Sequence, residues 1–399
     1  MNALSLNPVV IKPRQGKRAK GGHPWIFSNE IEHPTPRPEP GELVRVLDDS
    51  RRWLGYGTYN PHSLIAIRLL SRQEEDIPGS VPWFQEKIRQ ALTLRERIYP
   101  ERTAYRLIYA DSDGLSGVIV DRYESVLVVQ IHTAGMERLL EPFTEALKDV
   151  LHPTAIVLRN THEKRTLENL PLYTTVLLGE IGETIPFHEN QIQLLADVQG
   201  GQKTGHFFDQ AENRLALGPF ARGQNCVDLF CHTGAWGLSL LKAGASQVLA
   251  IDSSQPAIAM ARQNAEQNGV GSALECLCLD AFEWLSQMRR EKRQFDLVVV
   301  DPPAFAKSAK QVNGALRGYE DLNRQAIHIV RDGGILCSCS CSYFIGEQEF
   351  LQVLQKAAAR EQRQIQCLEI RGQAKDHPIH LAMPETRYLK CVIGVVRSV

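Results

Sequence analysis

Beyond about residue 200 the chain repeats one unit: a short apolar run, a turn, then an amphipathic stretch of helical period. The runs CVDLF, VLAID, LECLCLD, FDLVVVD and GGILCSCS alternate with AWGLSLLKAG, PAIAMARQNAEQNG, AFEWLSQMRR, GYEDLNRQAIHIV and EQEFLQVLQKAAARE, and two further strands close the sequence. Apolar strands separated by helices run parallel and need cover on both faces. The pattern predicts an α/β class with a doubly wound, Rossmann-like sheet over 191–399. In such sheets ligands bind outside the C-terminal strand ends, so the residues that follow each strand carry the functional information.

A chain of 399 residues exceeds one ordinary core, so further domains are expected upstream. Residues 1–75 read as short β pieces, VVIKP, ELVRVLD, WLGYGTYN and LIAIRLL, interrupted by HPTPRPEPG, and predict a small barrel-like module. Over 76–190 a helical pattern from Pro82 to Tyr99, with Ile88, Ala91, Leu92, Arg95 and Ile98 on one face, precedes YRLIYA, GVIVD, VLVVQIH, the helix MERLLEPFTEALKDVL and AIVLRN. This predicts a small α+β domain, with a hairpin where TTVLLGE and QIQLLADV bracket IPFHEN. It has no catalytic pattern of its own and reads as a spacer or docking domain.

Apolar residues make up 43% and charged residues 23% of the chain, which argues against disordered and fibrous classes. No apolar run reaches the roughly 20 residues that span a bilayer, and the first residues lack a charged-then-apolar secretory pattern, so no membrane partner and a cytoplasmic location are expected. All nine cysteines lie at or beyond Cys226, and an odd number crowded into one half is no secreted disulfide framework. Without a CxxC pair or a histidine at ligand spacing, no metal site is expected. The formal net charge is −1, yet Lys12, Arg14, Lys17, Arg18 and Lys20 all precede the first acidic residue, Glu30, and run into the aromatics of GGHPWIF. Such an arm can track nucleic-acid phosphates while aromatics stack. The plainer alternative is a solvated basic segment followed by a core Trp and Phe.

The first strand-to-helix turn of the sheet, Asp228-Leu-Phe230-Cys-His-Thr233-Gly234-Ala-Trp-Gly237, places glycine where a backbone approaches a ligand. It is not GxGxxG, the glycine-lined helix start that a dinucleotide's pyrophosphate requires, whereas S-adenosylmethionine has no phosphate. Asp252 ends the second strand, where a carboxylate can accept from both ribose hydroxyls, and Asp280 ends the third, toward the adenine edge. Each alone is equally a helix N-cap. In this order they point to S-adenosylmethionine as cofactor, with Asp228, Phe230, Thr233, Gly234, Asp252 and Asp280 as candidates to bind it. The fourth strand ends in Asp301-Pro302-Pro303-Ala304-Phe305. Two prolines fix φ and remove two donors, so this loop can present the Asp301 carboxylate and a carbonyl to a planar base on which Phe305 packs. A plain rigid turn is the alternative.

Together with GQKTGHFFDQ at 201–210, GALRGYEDLNRQAI and SCS at 340–342, and with the upstream GGHPWIFSNEI and DSDGLSGVIVDRY, these motifs resemble the bacterial large-subunit (23S) ribosomal RNA cytosine-C5 methyltransferase family that carries an N-terminal PUA domain. The likeness covers nearly the whole chain. It implies a PUA domain, a small αβ middle domain and a Rossmann-like catalytic domain that uses S-adenosylmethionine, with ribosomal RNA as partner and a homodimer as a further expectation. It also implies that Lys203, Thr204, Phe207 and Asp209 flank the cofactor.

In CSCSCS the residues Cys337, Cys339 and Cys341 share one strand face, which admits a metal clasp, a redox relay, an inert core face or the address of one nucleophile. Carbon 5 of cytosine is a poor nucleophile. Attack of a thiolate at carbon 6 makes it enamine-like and able to take a methyl cation, whereas an exocyclic amine needs only aiming and desolvation. Cys341 reaches the C-terminal edge of the strand and the family's nucleophile falls on it, leaving Cys337 and Cys339 as small hydrophobes packed against a covering helix. Ala304 stands after Pro303, where two-cysteine enzymes carry a second cysteine. A single-cysteine cycle is implied, with Asp301 at cytosine N3 and N4. Two rival readings stand beside this one: exocyclic-amine methylation (guanine N2 or adenine N6) on the same fold, and a non-catalytic RNA-binding ribosome-assembly factor.

Overall fold

The computed structural model describes residues 6–198 and 204–399. The chain separates into two compact units, one running up to Phe187 and including Ala196–Phe208 and Asp376–Thr386, the other formed by His188–Leu195, Asp209–Lys375 and Arg387–Val399.

In the first unit, β1 (Pro8–Val10), the short helix α1 (Lys17–Lys20), β2 (Trp25–Phe27), β3 (Leu43–Leu47), β4 (Trp53–Tyr59) and β5 (Ile65–Ser71) make the β-rich module, with its five strands ordered β1-β3-β4-β5-β2. Its inward positions, among them Val9, Ile26, Val44, Val46, Tyr59 and Ile67, form one core. Helix α2 (Val81–Ile98) starts on Ser80, whose Oγ accepts the Trp83 N–H at 3.3 Å, with Pro82 in the first turn. It buries Trp83, Phe84, Ile88 and Ala91. Arg95 on the same face is fully buried because its guanidinium meets both oxygens of Asp113, at 2.5 and 2.8 Å.

The middle sheet contains β6 (Ala104–Tyr109), β7 (Val118–Tyr123), β8 (Val126–Ile131), β9 (Ala155–Asn160) and β10 (Tyr173–Leu178) in the order β10-β9-β8-β7-β6, with α3 (Ala134–Arg138) and α4 (Leu140–Leu151) between β8 and β9. The expected hairpin is thereby corrected. TTVLLGE supplies β10, which pairs antiparallel with β9 as a sheet edge. The hairpin forms instead between β11 (Ile185–Glu189), which lies in IPFHEN itself, and β12 (Ile192–Ala196). Burial alternates along β11, and Asn190 and Gln191 have φ of 52° and 65°, the backbone of a two-residue primed turn.

The second unit holds α5 (Ala211–Leu217), then β13 (Asn225–Leu229), α6 (Ala235–Lys242), β14 (Gln247–Asp252), α7 (Gln255–Gln267), β15 (Leu274–Cys278), α8 (Ala281–Glu291), β16 (Phe295–Val300), α9 (Val312–Ile329), β17 (Val330–Ser340), α10 (Glu347–Arg360), β18 (Arg363–Arg371) and β19 (Lys390–Ser398). Its strand order is β15-β14-β13-β16-β17-β19-β18, parallel from β15 to β17, with β19 antiparallel to both neighbours. The predicted doubly wound sheet is present. Val227, Leu229, Val298, Val300 and Leu336 pack with Trp284, Leu285, Leu322, Ala326 and Ala357 of α8, α9 and α10. Fully burying an aliphatic side chain of this kind is worth about 1.5–3 kcal/mol. The order reverses between β13 and β16, so their C-terminal ends open the crevice where α/β sheets bind ligands. Among the described residues no helix is long and apolar enough to cross a membrane.

Candidate functional site at the strand ends

The turn after β13 is wound tightly. Phe230, His232 and Gly234 have φ of 63°, 49° and 82°, and left-handed backbone at two residues that carry a Cβ is a marker of functional strain. Asp228, fully buried at the end of β13, accepts the Gly237 N–H through Oδ2 at 3.0 Å, while its Oδ1 has no hydrogen-bond partner among the described residues. A Cβ at Gly237 would come within 2.8 Å of Leu274 Cδ1, so a larger residue there would push that side chain aside where α6 packs on the sheet. Burial pushes the Asp228 carboxyl up to about 8, with the charges of Asp301 and Asp252 adding to the effect and the Gly237 N–H opposing it.

Asp252 is half-buried and accepts from His232 N at 3.0 Å and Ser254 N at 2.9 Å, bracing the β13 turn from the next strand. Thr233 is buried, and its carbonyl accepts from Asn264 Nδ2 at 3.0 Å. Asp280 is exposed and caps α8, its Oδ1 accepting from Phe282 N at 2.9 Å and Glu283 N at 3.1 Å. Its contacts are those of the N-cap alternative.

At the end of β16, Asp301 is held on both oxygens, Oδ1 by Gln210 Nε2 at 3.1 Å and Oδ2 by Trp236 Nε1 at 3.0 Å. Burial pushes this carboxyl up to about 6, against the pull of the Trp236 hydrogen bond. Pro302 is buried and Pro303 exposed. Phe305 lies on Tyr319 of α9, ring centroids 4.5 Å apart, so one of its faces is already covered. Ser342 joins these parts: its Oγ accepts from Ala306 N at 3.2 Å and pairs with the Tyr319 hydroxyl at 3.0 Å.

The cysteines separate by position. Cys341, just past β17, is half-buried, and its thiol donates to the Pro302 carbonyl at 3.9 Å. Cys337 and Cys339 are fully buried, as expected, but the covering-helix picture is incomplete. Cys391 of β19 stands directly opposite Cys339, its sulfur is 3.6 Å from that of Cys337, and all three sulfurs lie within 4.8 Å of one another. The grouping is assembled across strands, where spacing along the chain cannot reveal it. Burial pushes the Cys339 thiol well up, keeping it protonated.

Sequence reasoning also missed Gln210, Trp236 and Lys390. Lys390 opens β19, is 6% exposed, and donates through Nζ to the carbonyls of Ser342 at 2.6 Å and Tyr388 at 2.9 Å. The one available signal was a lysine standing before the apolar run CVIGVV.

The remaining candidates fall elsewhere. Thr204 and Phe207 belong to the first unit. Thr204 is buried, donating to Asp121 and accepting from the Tyr123 hydroxyl at 3.2 Å, and Phe207 is half-buried. Asp209 belongs to the second unit, where it accepts from the Tyr388 hydroxyl. Lys203 lies outside the described residues. In the basic arm, Arg18 pairs with Glu385 at 2.8 Å and Lys20 sits 3.3 Å from Asp48 and 3.4 Å from Asp49. Lys12 caps the Asn29 carbonyl at 3.0 Å. Arg14, at φ 67°, and Lys17 are exposed. Trp25 is half-buried, its Nε1 donating to Asp111 at 3.0 Å.

Known proteins resemble the chain over both of its ends. A family model for an S-adenosylmethionine-dependent methyltransferase matches residues 153–379, and one for a PUA-like domain matches residues 9–72. The ribosomal RNA large subunit methyltransferase I of Photobacterium profundum is 38% identical over 392 residues, covering 97% of this chain and 98% of its own. The protein of the same name from Shewanella amazonensis is 37% identical over 97% of this chain and 99% of its own. A solved Streptococcus mutans protein described as a SAM-dependent methyltransferase shares the fold, with a TM-score of 0.82 at 20% identity over 98% of this chain and 100% of its own. With both units spanned by relatives at this identity, the chain belongs to the ribosomal RNA large subunit methyltransferase I family, S-adenosylmethionine-dependent methyltransferases with an N-terminal PUA-like domain.

Proposed function

We propose that the protein methylates carbon 5 of a cytosine in large-subunit (23S) ribosomal RNA, in the bacterial cytoplasm, through a transient bond between Cys341 Sγ and carbon 6 of the base. The observation that carries this reading is the place of Cys341. It is a partly exposed thiol at the C-terminal end of β17, against the Pro302 carbonyl, while Cys337 and Cys339 behind it are sealed in the core.

The residues after β13 fit the cofactor. S-adenosylmethionine carries a sulfonium and an ammonium, and the crevice offers carboxyls at Asp228, Asp252 and Asp301, the charges of the last two raising the cost of ionising Asp228, whose Oδ1 is bare. A cation relieves both the repulsion and the missing hydrogen bond. Asp228 would take the ammonium, Asp252 the ribose hydroxyls, and Gly234 would leave room for close approach. When bound, the cofactor supplies an electrophilic methyl group on sulfur.

Cys341 adds to carbon 6 as thiolate, and the electron pair of the 5,6 double bond moves to carbon 5, which takes the methyl group. Loss of the carbon 5 proton to a base then restores the double bond and expels the thiolate. Asp301, able to hold a proton up to pH near 6, would donate it toward N3 and draw electron density from the ring as the thiolate attacks. The Pro302-Pro303 turn holds Asp301 and the base-facing carbonyl rigid, and Phe305 stiffens the loop through Tyr319. Lys12, Arg14, Lys17 and Arg18 of the PUA-like module would contact RNA phosphates. A homodimer is a further expectation that sedimentation would read.

Substrate RNA carrying 5-fluorocytidine tests the reading. Fluorine cannot leave as a proton, so the wild-type protein should accumulate a covalent complex after methyl transfer, and Cys341→Ala should form no complex and no 5-methylcytidine. Near-wild-type methylation by Cys341→Ala would sink the covalent route and leave the exocyclic-amine reading in its place.

A further inference from the structure

The cycle proposed above needs Cys341 as a thiolate, and a thiol stays ionised near neutral pH only beside a positive charge or a helix N-terminus. We propose that Lys390 is a positioning residue for this step, its buried ammonium stabilising the Cys341 thiolate and fixing the backbone that aims it. This inference rests on the reading of Cys341 as nucleophile.

The geometry starts from the antiparallel ladder of β17 and β19, in which Lys390 stands opposite Ser340, the residue before Cys341. From there the side chain reaches past the strand end, and Nζ donates to the Ser342 carbonyl at 2.6 Å, so the ammonium holds the peptide on the far side of Cys341. The Tyr388 carbonyl at 2.9 Å takes a second N–H. Both acceptors are neutral, yet the side chain is almost fully buried, and a buried cation with only carbonyl partners lacks a counter-charge. Burial lowers the Lys390 ammonium to about 8, and the group that most opposes this is Cys341.

The other charges around the pair are accounted for. Arg387 acts against the ammonium but is itself paired with Glu347, and Glu349 and Glu347 of α10 favour it more weakly than Cys341 does. From α9 the Tyr319 hydroxyl faces the same turn, bonded to Ser342, and burial keeps it protonated. In the free protein the thiol proton passes to solvent and the ammonium keeps its own. When the thiolate is expelled from the product it returns to the same charge.

The test is the pH dependence of Cys341 alkylation by iodoacetamide in the full-length protein without RNA, with the modified sulfur located by fragment mass spectrometry and glutathione run in parallel. The wild-type midpoint should lie below that of glutathione. Lys390→Met should move it to higher pH and slow alkylation at neutral pH by about tenfold, the change that goes with one unit of midpoint, while Lys390→Arg keeps the wild-type profile. A Met variant whose profile superimposes on the wild type would reduce Lys390 to a structural staple. Should that variant fail to fold, the wild-type comparison decides alone, and a midpoint at or above that of glutathione overturns the proposal. Failure of the nucleophile reading itself would appear separately, as absence of the 5-fluorocytidine adduct in wild type.

Discussion

Trp236 donates its indole N–H to Oδ2 of Asp301 across 3.0 Å, joining the first turn of α6 to the end of β16. That bond favours the ionised carboxylate in a place where burial favours the acid. Trp236→Phe keeps the ring and removes the donor. A hydrogen bond to a charged group is worth about 1.5–3 kcal/mol, so the alkaline limb assigned to protonated Asp301 should move up by about one to two pH units. A plot of kcat against pH checks this, and an unmoved limb would show that Asp301 is not the titrating group.

What the sequence made legible follows from range. Asp228, Asp252 and Asp301 each stand at the C-terminal end of an apolar strand, and the pattern that locates the strand locates the residue. Asp280 shows the limit, because a carboxylate at a strand end serves a helix cap as well as a ligand, and here it accepts from the N–H groups of Phe282 and Glu283 in the first turn of α8. The hairpin was misplaced because Pro186 and the polar positions of β11 hide a strand whose buried residues alternate. Cys391 and Lys390 were out of reach for another reason. They stand beside Cys339 and Cys341 only because β19 inserts antiparallel between β17 and β18, a strand order that no local pattern encodes.

In the proposed cofactor site Asp228 would link stability to binding. Its folded value, about 8, lies above the ordinary 3.8, so the native state holds the extra proton and stability falls as pH rises between the two. Asp228→Asn should therefore raise the melting temperature near pH 8, leave it unchanged near pH 4, and weaken cofactor binding. In the wild type the cofactor's cation should expel the proton. Calorimetry near pH 7 in buffers of different ionisation enthalpy should read proton release on binding, and none would remove Asp228 from the cofactor site.

The basic arm divides into paired and open charges. Arg18 and Lys20 have acidic partners within 3.4 Å, whereas Arg14 and Lys17 have none among the described residues. Replacing Arg14 and Lys17 by alanine should lower the slope of log affinity for RNA against log salt by about 0.7–0.9 per residue, with cofactor affinity unchanged. The Arg18 and Lys20 pair should change the slope less, since each already has a counter-charge in the free protein. Equal slopes for wild type and the Arg14, Lys17 variant would make the arm a solvated surface.

Ser342 sits where three elements meet, its hydroxyl accepting from Ala306 N in the loop after β16 and pairing with Tyr319 of α9 while its backbone follows Cys341. The side chain is fully buried, so Ser342→Ala leaves the Ala306 N–H without its acceptor in a dry place and leaves the Tyr319 hydroxyl to Ser340. The cost in stability should be about 1–3 kcal/mol. The larger effect should fall on turnover, because this oxygen ties the loop that follows Asp301, through Ala306 N, to the turn that carries Cys341, and small displacements between the two are expensive in rate. Single-turnover methylation should slow by tenfold or more, on the order of one lost hydrogen bond, while cofactor affinity, which the proposal places at the β13 turn, should stay the same. A variant that loses stability and keeps its single-turnover rate would show that Ser342 supports the core without aligning the two loops.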